Sequence, residues 1–328
     1  MRVLLFDANN TAYRAFMTRQ FSTSTGIGTS VLHGMLTMIR STLFKFQTKE
    51  FVVIWDYGKA KWRMDLHPEY KGGRVRDDSY AEFLTQVNET HEVFEQLGFS
   101  QIRIPGCEAD DIISIAARLI TDKVKGSQAI IVSQDKDLLQ CVSDSVLVWR
   151  PTKRELKDPT NLDPPAHLQP LFKALMGDKS DNIQGARQIG EKTALAAIAH
   201  GLRKIDLEQG MDSFEGGEMV PLKFKDMPRG EKIFAQRDAV ISAYKLVLLP
   251  TRVDELGDEE QIVRLKLCLR NALKRMRGKV YLSAEWLEHG FVGKYELNSL
   301  WPIWFEWLSD FKIVLEGKMS DHQTLAIE

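Results

Sequence analysis

Cysteine is scarce in this 328-residue chain: Cys107, Cys141 and Cys268 are an odd, scattered three with no Cys-x-x-Cys spacing. That usage excludes a disulfide framework or a thiolate zinc site and suits a reducing compartment. Long apolar runs are missing too, since no stretch reaches the roughly 18 residues that cross a bilayer. The chain enters directly on Val3-Leu4-Leu5-Phe6, without the charged, apolar and small-residue regions of a signal peptide. A cytoplasmic protein with no membrane partner is therefore expected. Net charge is also lacking, with 44 Lys and Arg against 45 Asp and Glu. Nothing global announces nucleic acid, so the information lies in how charge is distributed. The seven histidines have no ligand spacing, and Gly26 with Gly28 lacks the third glycine and leading strand of a dinucleotide fingerprint.

What the chain does have is acid in unusual places. Gly106-Cys107-Glu108-Ala109-Asp110-Asp111 packs three carboxylates where the apolar run Ile102 to Ile104 gives way to a helical pattern, Ile112, Ile113, Ile115, Ala116 and Leu119. One acid in a first helical turn is enough to cap free N–H groups. Three repel one another unless a cation is bound. Three further apolar runs end the same way: Val3 to Phe6 in Asp7, Phe51 to Trp55 in Asp56, and Ala129 to Val132 in Ser133-Gln134-Asp135-Lys136-Asp137. Short apolar runs separated by helical stretches read as buried parallel strands. In an open α/β sheet, ligands gather outside the carboxyl ends of the strands. Asp178 and Asp181 follow in Met176-Gly177-Asp178-Lys179-Ser180-Asp181-Asn182-Ile183. Nine carboxylates on one rim make a polymetal site, and an all-oxygen set suits Mg2+ or Mn2+ rather than zinc.

The expected architecture is a central, mostly parallel twisted sheet flanked by helices over residues 1–150, followed by a helical subdomain over 151–280 and an aromatic-rich extension over 281–328. Val31 to Phe46 and Tyr80 to Leu97 are helical, Val146 to Trp149 is a fifth strand, and the Pro-rich, polar stretch Pro151 to Pro170 marks the boundary. Between Tyr57 and Arg76, six cations (Lys59, Lys61, Arg63, Lys71, Arg74, Arg76) face only Asp65 and Glu69, with Trp62, His67, Tyr70, Gly72 and Gly73 interleaved. A solvated charge run is the plain reading. Beside an acidic rim, cations with stackable rings instead suit a mobile segment that threads single-stranded nucleic acid. Residues 171–200 read as helix, glycine-containing turn, then helix from about Glu191. Such a helix start is a ready phosphate site, with Arg187 and Lys192 adding charge. Gly210 to Gly230 reads as a flexible loop. Ile262 to Lys279 is an amphipathic helix whose Lys266, Arg270, Lys274 and Arg277 form either a phosphate-facing stripe or a solvated face. The tail holds Trp301, Trp304, Phe305, Trp307 and Phe311, a density that suits packing onto the parent domain.

Taken in order, Asp7, Trp55-Asp56, Pro68-Glu69-Tyr70-Lys71-x-x-Arg74, Glu108-Ala109-Asp110-Asp111, Ser133-Gln134-Asp135-Lys136-Asp137 and Gly177-Asp178-Lys179-Ser180-Asp181-Asn182-Ile183 resemble the 5′ nuclease (flap endonuclease) superfamily. Its members include stand-alone phage 5′-3′ exonucleases of the phage RNase H type and the 5′-nuclease domain of bacterial DNA polymerase I. The resemblance covers roughly residues 1–250, and the ordered set carries it rather than any one motif.

The resemblance implies a PIN-like nuclease core, a helical arch near 57–97 and a helix–three-turn–helix over 171–200. It implies a phosphodiesterase that acts from the 5′ end of DNA or RNA–DNA duplexes and at flaps and forks, as in removal of RNA primers during DNA replication. Two divalent ions, Mg2+ with Mn2+ as substitute, fall to Asp7, Asp56, Glu108, Asp110, Asp111 and Asp135 for the tighter position and to Asp137, Asp178 and Asp181 for the looser one. Lys71 and Arg74 stand at the base of the arch, stabilising charge on the transferring phosphate. With the charged stretches read above, the expected nucleic-acid contacts are Lys59, Arg63, Tyr70, Arg76, Gly185, Arg187, Gly190, Lys192, Lys266 and Arg270. The family's turn commonly reads Pro-Gly-x-Pro-Gly-Ile-Gly; Gln184-Gly185-Ala186-Arg187-Gln188-Ile189-Gly190 lacks both prolines and one glycine. That departure should loosen the turn and puts the family's K+ site there in doubt. A monomer is expected, meeting any replicative polymerase or single-strand-binding protein as a separate partner, with the arch, on the strength of Gly72, Gly73 and its charge, disordered until nucleic acid binds. The competing reading is a non-catalytic, branched-DNA-binding protein that keeps the fold. A relative of that kind should have lost carboxylates, and all nine are present.

Overall fold

A computed structural model describes residues 1–18, 20–74, 77–212, 222–275, 280–283, 286–296 and 313–316. The apolar runs become six strands, β1 (Arg2–Asp7), β2 (Phe51–Trp55), β3 (Gln101–Arg103), β4 (Gln128–Val132), β5 (Val146–Arg150) and β6 (Glu155–Lys157). They form one sheet in the order β3-β2-β1-β4-β5-β6, parallel except for β6, which returns antiparallel along β5. Alternate residues of each strand face opposite sides. Leu4, Phe6, Val53, Trp55, Ile130 and Val132 build the core on one face; Val3, Leu5, Val52, Ile54, Ala129 and Ile131 build it on the other. Each of the buried Val, Leu, Ile and Phe side chains among them contributes about 1.5–3 kcal/mol.

Helices α1 (Ala8–Thr18), α2 (Ser30–Phe46) and α4 (Asp78–Gln96) cover the first face through Phe16, Leu36, Ile39, Phe83 and Phe94. Between α2 and α4 runs the short α3 (Lys61–Leu66). The second face takes α5 (Ala109–Lys123) and, from far along the chain, α12 (Glu259–Arg275) through Leu265, Leu269 and Ala272. A third cluster sits apart from the sheet. It joins α6 (Gln169–Met176), α7 (Glu191–Ala199), α8 (Lys204–Asp212), α9 (Leu222–Lys225), α10 (Gly230–Ala235) and α11 (Arg237–Val247) around Leu171, Leu175, Leu207, Phe224 and Ile233. Within it, β7 (Gly177–Asp178) and β8 (Ile183–Gln184) pair across the turn that carries Asp178 and Asp181. A parallel pair, β9 (Val280–Ser283) and β10 (Ile313–Glu316), closes the described chain.

Several boundaries differ from the sequence reading. The Pro-rich stretch 151–170 contains β6, because Leu156 still pairs with Trp149 on the sheet. Residues 249–272 pack on the sheet rather than in the helical cluster. After β9, Phe291, Val292 and Tyr295 bury themselves among the helices of the first face, and the Ser24 N–H donates to Glu296 at 2.8 Å. The tail aromatics at 301–311 and most of the glycine-rich stretch, 213–221, lie outside the described residues. Among the described residues no helix is long and apolar enough to cross a membrane.

Candidate metal centre and nucleic-acid face

Strand order reverses between β1 and β4, the place along an open α/β sheet where ligands gather at the carboxyl edge. Asp7, at the end of β1, accepts the Ser133 hydroxyl at 2.6 Å and the Asn10 N–H at 3.3 Å. The Asp56 N–H donates to Asn9 Oδ1 at 3.0 Å, and its carboxylate accepts the Ala109 N–H at 2.7 Å. The acid that caps α5 therefore comes from β2, not from the helix's own Glu108. That leaves Glu108, at the N-cap, and Asp110, in the first turn, to serve the rim. Asp135 accepts the Asp137 N–H at 2.8 Å, while its own N–H donates to Ser133 Oγ at 3.0 Å. Gly106 gives the chain its turn into α5 at φ +70°, and a Cβ there would meet Gln261 Nε2 at 2.5 Å.

So many carboxylates under cover strain one another. Burial, then the neighbouring Asp56 charge, pushes Asp7 well above the usual carboxylate range. Burial also lifts Asp56 to about 6, with Glu108 and Asp110 adding to it, and it raises Asp135, which feels Asp110 and Asp181. These mutual influences bind the rim into one electrostatic unit that favours positive charge. One oxygen each of Glu108, Asp110 and Asp111 fall within 4.8 Å of one another, so a carboxylate cluster able to chelate a divalent metal is present. The donors are all oxygen, which fits a hard cation. Burial pushes the Cys107 and Cys141 thiols up to about 12, leaving no ready thiolate at either position.

Arg63 departs from expectation. Read as a nucleic-acid contact, it is 2% exposed and lies beneath the acids. Its two terminal nitrogens reach Asp111 at 2.8 Å each, one of them also meets Glu108 at 2.9 Å, and Nε donates to the Leu246 carbonyl. Asp111 is fully buried with both oxygens on this guanidinium and a further bond from Trp62 at 3.1 Å. The pair forms a fixed floor under Glu108 and Asp110. Tyr70 corrects in the same way: it is 2% exposed in the helical cluster, and its hydroxyl donates to Glu108 and Asp181. A ring so covered offers nothing to a base. Lys59, also read as a contact, donates to the Tyr70 carbonyl at 2.7 Å and is half-buried.

Residues 57–74, expected to be mobile, are instead a helix and tight turns clamped to the rim. Lys71 reaches Glu108 at 2.5 Å and lies 3.9 Å from Asp181, and its backbone N–H donates to the Asp181 carbonyl. Arg74 holds Asp181 at 2.8 Å with its side chain about half exposed. Arg76 lies outside the described residues. On the outer side, Lys173 of α6 bridges Asp137 and Asp178, at 2.9 Å from the latter. Burial works to raise Asp178, but Lys173 and the Ser180 hydroxyl outweigh it and hold its carboxyl at about 2.

Gly185 is a packing necessity in its own right. Its backbone passes so near Gly177 that a Cβ on either would lie 2.3 Å from the other's nitrogen. Arg187, Gly190 and Lys192 are exposed around the start of α7, and nothing lies within 4 Å of where a Gly190 Cβ would be. The turn without prolines is held by Gln236, which accepts the Arg187 N–H at 2.7 Å and donates to the Arg187 and Lys232 carbonyls. Gln188 takes φ +63° and accepts a bond from Lys232. Lys266 and Arg270 are exposed on α12, whose Gln261 end touches Pro105 at the rim and whose Ala272 end touches Ser100. Both therefore lead away from the acids along the flank of β3. Sequence reasoning missed Asn9, Asn10, Ser133, Lys173 and Gln236. The first three sit beside named aspartates; Lys173 lies on α6 and Gln236 at the junction of α10 and α11, where no motif marks them.

Comparison with known proteins adds independent findings. The 5′-3′ exonuclease N-terminal, resolvase-like domain family matches residues 2–165. The 5′-3′ exonuclease of Buchnera aphidicola is 33% identical over 200 residues, 59% of this chain and 68% of that protein. DNA polymerase I of Mycobacterium tuberculosis is 32% identical over 226 residues, 65% of this chain but only 24% of that protein. The solved structure of T5 5′-exonuclease with zinc ions bound superposes with a TM-score of 0.67 at 20% identity, covering 84% of this chain and 99% of that one. At that identity the likeness carries the fold.

Proposed function

The chain belongs to the 5′-3′ exonuclease family, and from that premise we propose that it is a divalent-metal-dependent nuclease. It hydrolyses phosphodiesters from the 5′ end of DNA and RNA–DNA duplexes and at flaps, as removal of primers or flaps in replication requires. The observation that carries the reading is the carboxyl edge itself, where acids from four strand ends and from the β7–β8 turn meet Lys71 and Arg74. A phosphodiester resists attack because its own charge repels nucleophiles. Two bound Mg2+ ions, or Mn2+ in their stead, would supply an activated water and neutralise the leaving oxygen.

The chain's own residues do the rest. Asp7, Asp56, Glu108, Asp110 and Asp135 hold the inner ion, with Asp111 completing the floor through Arg63. Asp137, Asp178 and Asp181 hold the outer one. Lys71 and Arg74 turn from Glu108 and Asp181 to the phosphate and stabilise its developing charge. Arg187, Gly190 and Lys192 grip the duplex backbone at the start of α7, positioning it without reading bases. Gln236 and Lys232 already tie that turn, so K+ is not needed to shape it. Mg2+-dependent cleavage of a labelled 5′ flap, an RNA–DNA hybrid and a nicked duplex tests the reading. Wild type should cut from the 5′ side, and Asp135→Ala or EDTA should abolish it. Binding of all three substrates with cleavage of none would leave only a branched-DNA-binding module.

A further inference from the structure

The outer acids differ from the inner ones in what faces them. Asp7, Asp56 and Asp135 each accept backbone N–H groups, and Asp7 the Ser133 hydroxyl as well, partners that stay in place when a cation arrives. Asp178 Oδ1 likewise accepts the Ser180 and Asp181 N–H groups and the Ser180 hydroxyl, but its Oδ2 shares an ammonium with Asp137. Lys173 stands in the middle of α6, whose Leu171, Ala174 and Leu175 are almost wholly buried, so its backbone is pinned. Only its four-carbon stem can move. Its nitrogen touches Oδ2 of both aspartates, so it stands between the two carboxylates that would hold a second cation. An ammonium and a divalent cation cannot share that position, because their repulsion acts at contact distance in a partly buried site.

We propose that Lys173 is the resident occupant of the outer carboxylate pair, and that its ammonium must leave Asp137 and Asp178 before a second cation can take them. The inference rests on reading the rim as a two-cation centre. In the free protein the outer position is closed by a charge of the protein's own. A phosphate arriving at the rim gives the ammonium an alternative partner and opens the position, so the second cation loads with substrate rather than ahead of it.

The test is titration of the metal-free protein with Mn2+ alone, no nucleic acid present, followed by calorimetry and by the electron paramagnetic resonance of free Mn2+. Wild type should bind one ion well and a second weakly. Lys173→Gln should tighten the second by about tenfold or more and leave the first unchanged, while Lys173→Arg, which keeps the charge, should behave as wild type. In Lys173→Gln with Asp178→Asn the tightened site should vanish. Lys173→Met serves as a second probe should the glutamine variant fail to fold. A second site equally weak in the folded variant, or equally tight in wild type, overturns the proposal. A wild type that binds no ion at all would instead overturn the metal-centre reading.

Discussion

The inner and outer halves of the acid rim hold similar residues in opposite ways. The inner acids hang from strand ends and the start of α5, are tied to backbone N–H groups, and rest on the buried Arg63–Asp111 pair. Of the outer acids, Asp137 follows β4 while Asp178 and Asp181 sit in the helical cluster; Lys173 holds the first two and Arg74 the third, with Lys71 reaching from the inner Glu108 towards Asp181. A backbone partner is permanent; a long cationic side chain is exchangeable. The inner half is thus built to be ready before a ligand arrives, and the outer half to change partners when one does.

That contrast can be broken most sharply by removing one acid from each half. Asp56→Asn keeps an oxygen for the Ala109 N–H, so the fold should survive while single-turnover cleavage falls on the order of 10³-fold. Asp178→Asn should cost only about 10- to 100-fold, recoverable with excess Mn2+. Equal losses would mean the halves are one site. Next in size is Arg63→Met, which leaves Asp111 buried without its counter-charge and Glu108 with Lys71 alone. Denaturant unfolding of the metal-free protein should then lose about 3–5 kcal/mol; a change below 1 kcal/mol would show that the floor does not depend on the ion pair.

The pH dependence should sharpen the comparison further. Asp7 and Asp56 are raised in the folded state, Asp56 from its ordinary 3.8 to about 6. A raised carboxyl favours the native state while protonated, a contribution fully present below the unfolded value and lost as pH rises through the folded one. The metal-free thermal midpoint should therefore fall between pH 4 and pH 7, and saturating Mg2+ should flatten that fall. A midpoint that climbs over this window without metal would contradict the inner-rim electrostatics. The smallest effect belongs to the turn before α7. Gln188 sits at φ +63°, where a side chain is strained, so Gln188→Gly should raise stability by up to about 1 kcal/mol. Loss of the Lys232 bond sets the limit on that gain.

Much of this was legible before any coordinates. Four apolar runs ending in acid announced the parallel strands and the edge where their acids would meet, because strand burial and carboxyl-end binding are both written in local pattern. The helices at 31–46 and 80–97 follow from periodicity within a few residues at the ends, as does 262–275 of the third; its expected end at 276–279 lies outside the described residues. The errors cluster in the basic stretch. Arg63 and Tyr70 look like a nucleic-acid surface when charge is counted along the chain, yet α3 turns Arg63 inward and the turns after it bury Tyr70. Arg63 finds Asp111 48 residues later, and Tyr70 finds Asp181 at a separation of 111. No window of sequence contains both partners.

Residue identity and local periodicity carry the nine carboxylates, their order and their oxygen-only character. The folded arrangement settles which charges are spent on one another and which remain for a ligand. Arg63 became a floor, Lys173 a resident cation and Gln236 the brace of a turn that lacks its prolines. The physical reason is that an ionic partnership depends on distance in space, while sequence pattern reports burial and direction only over a few neighbouring residues.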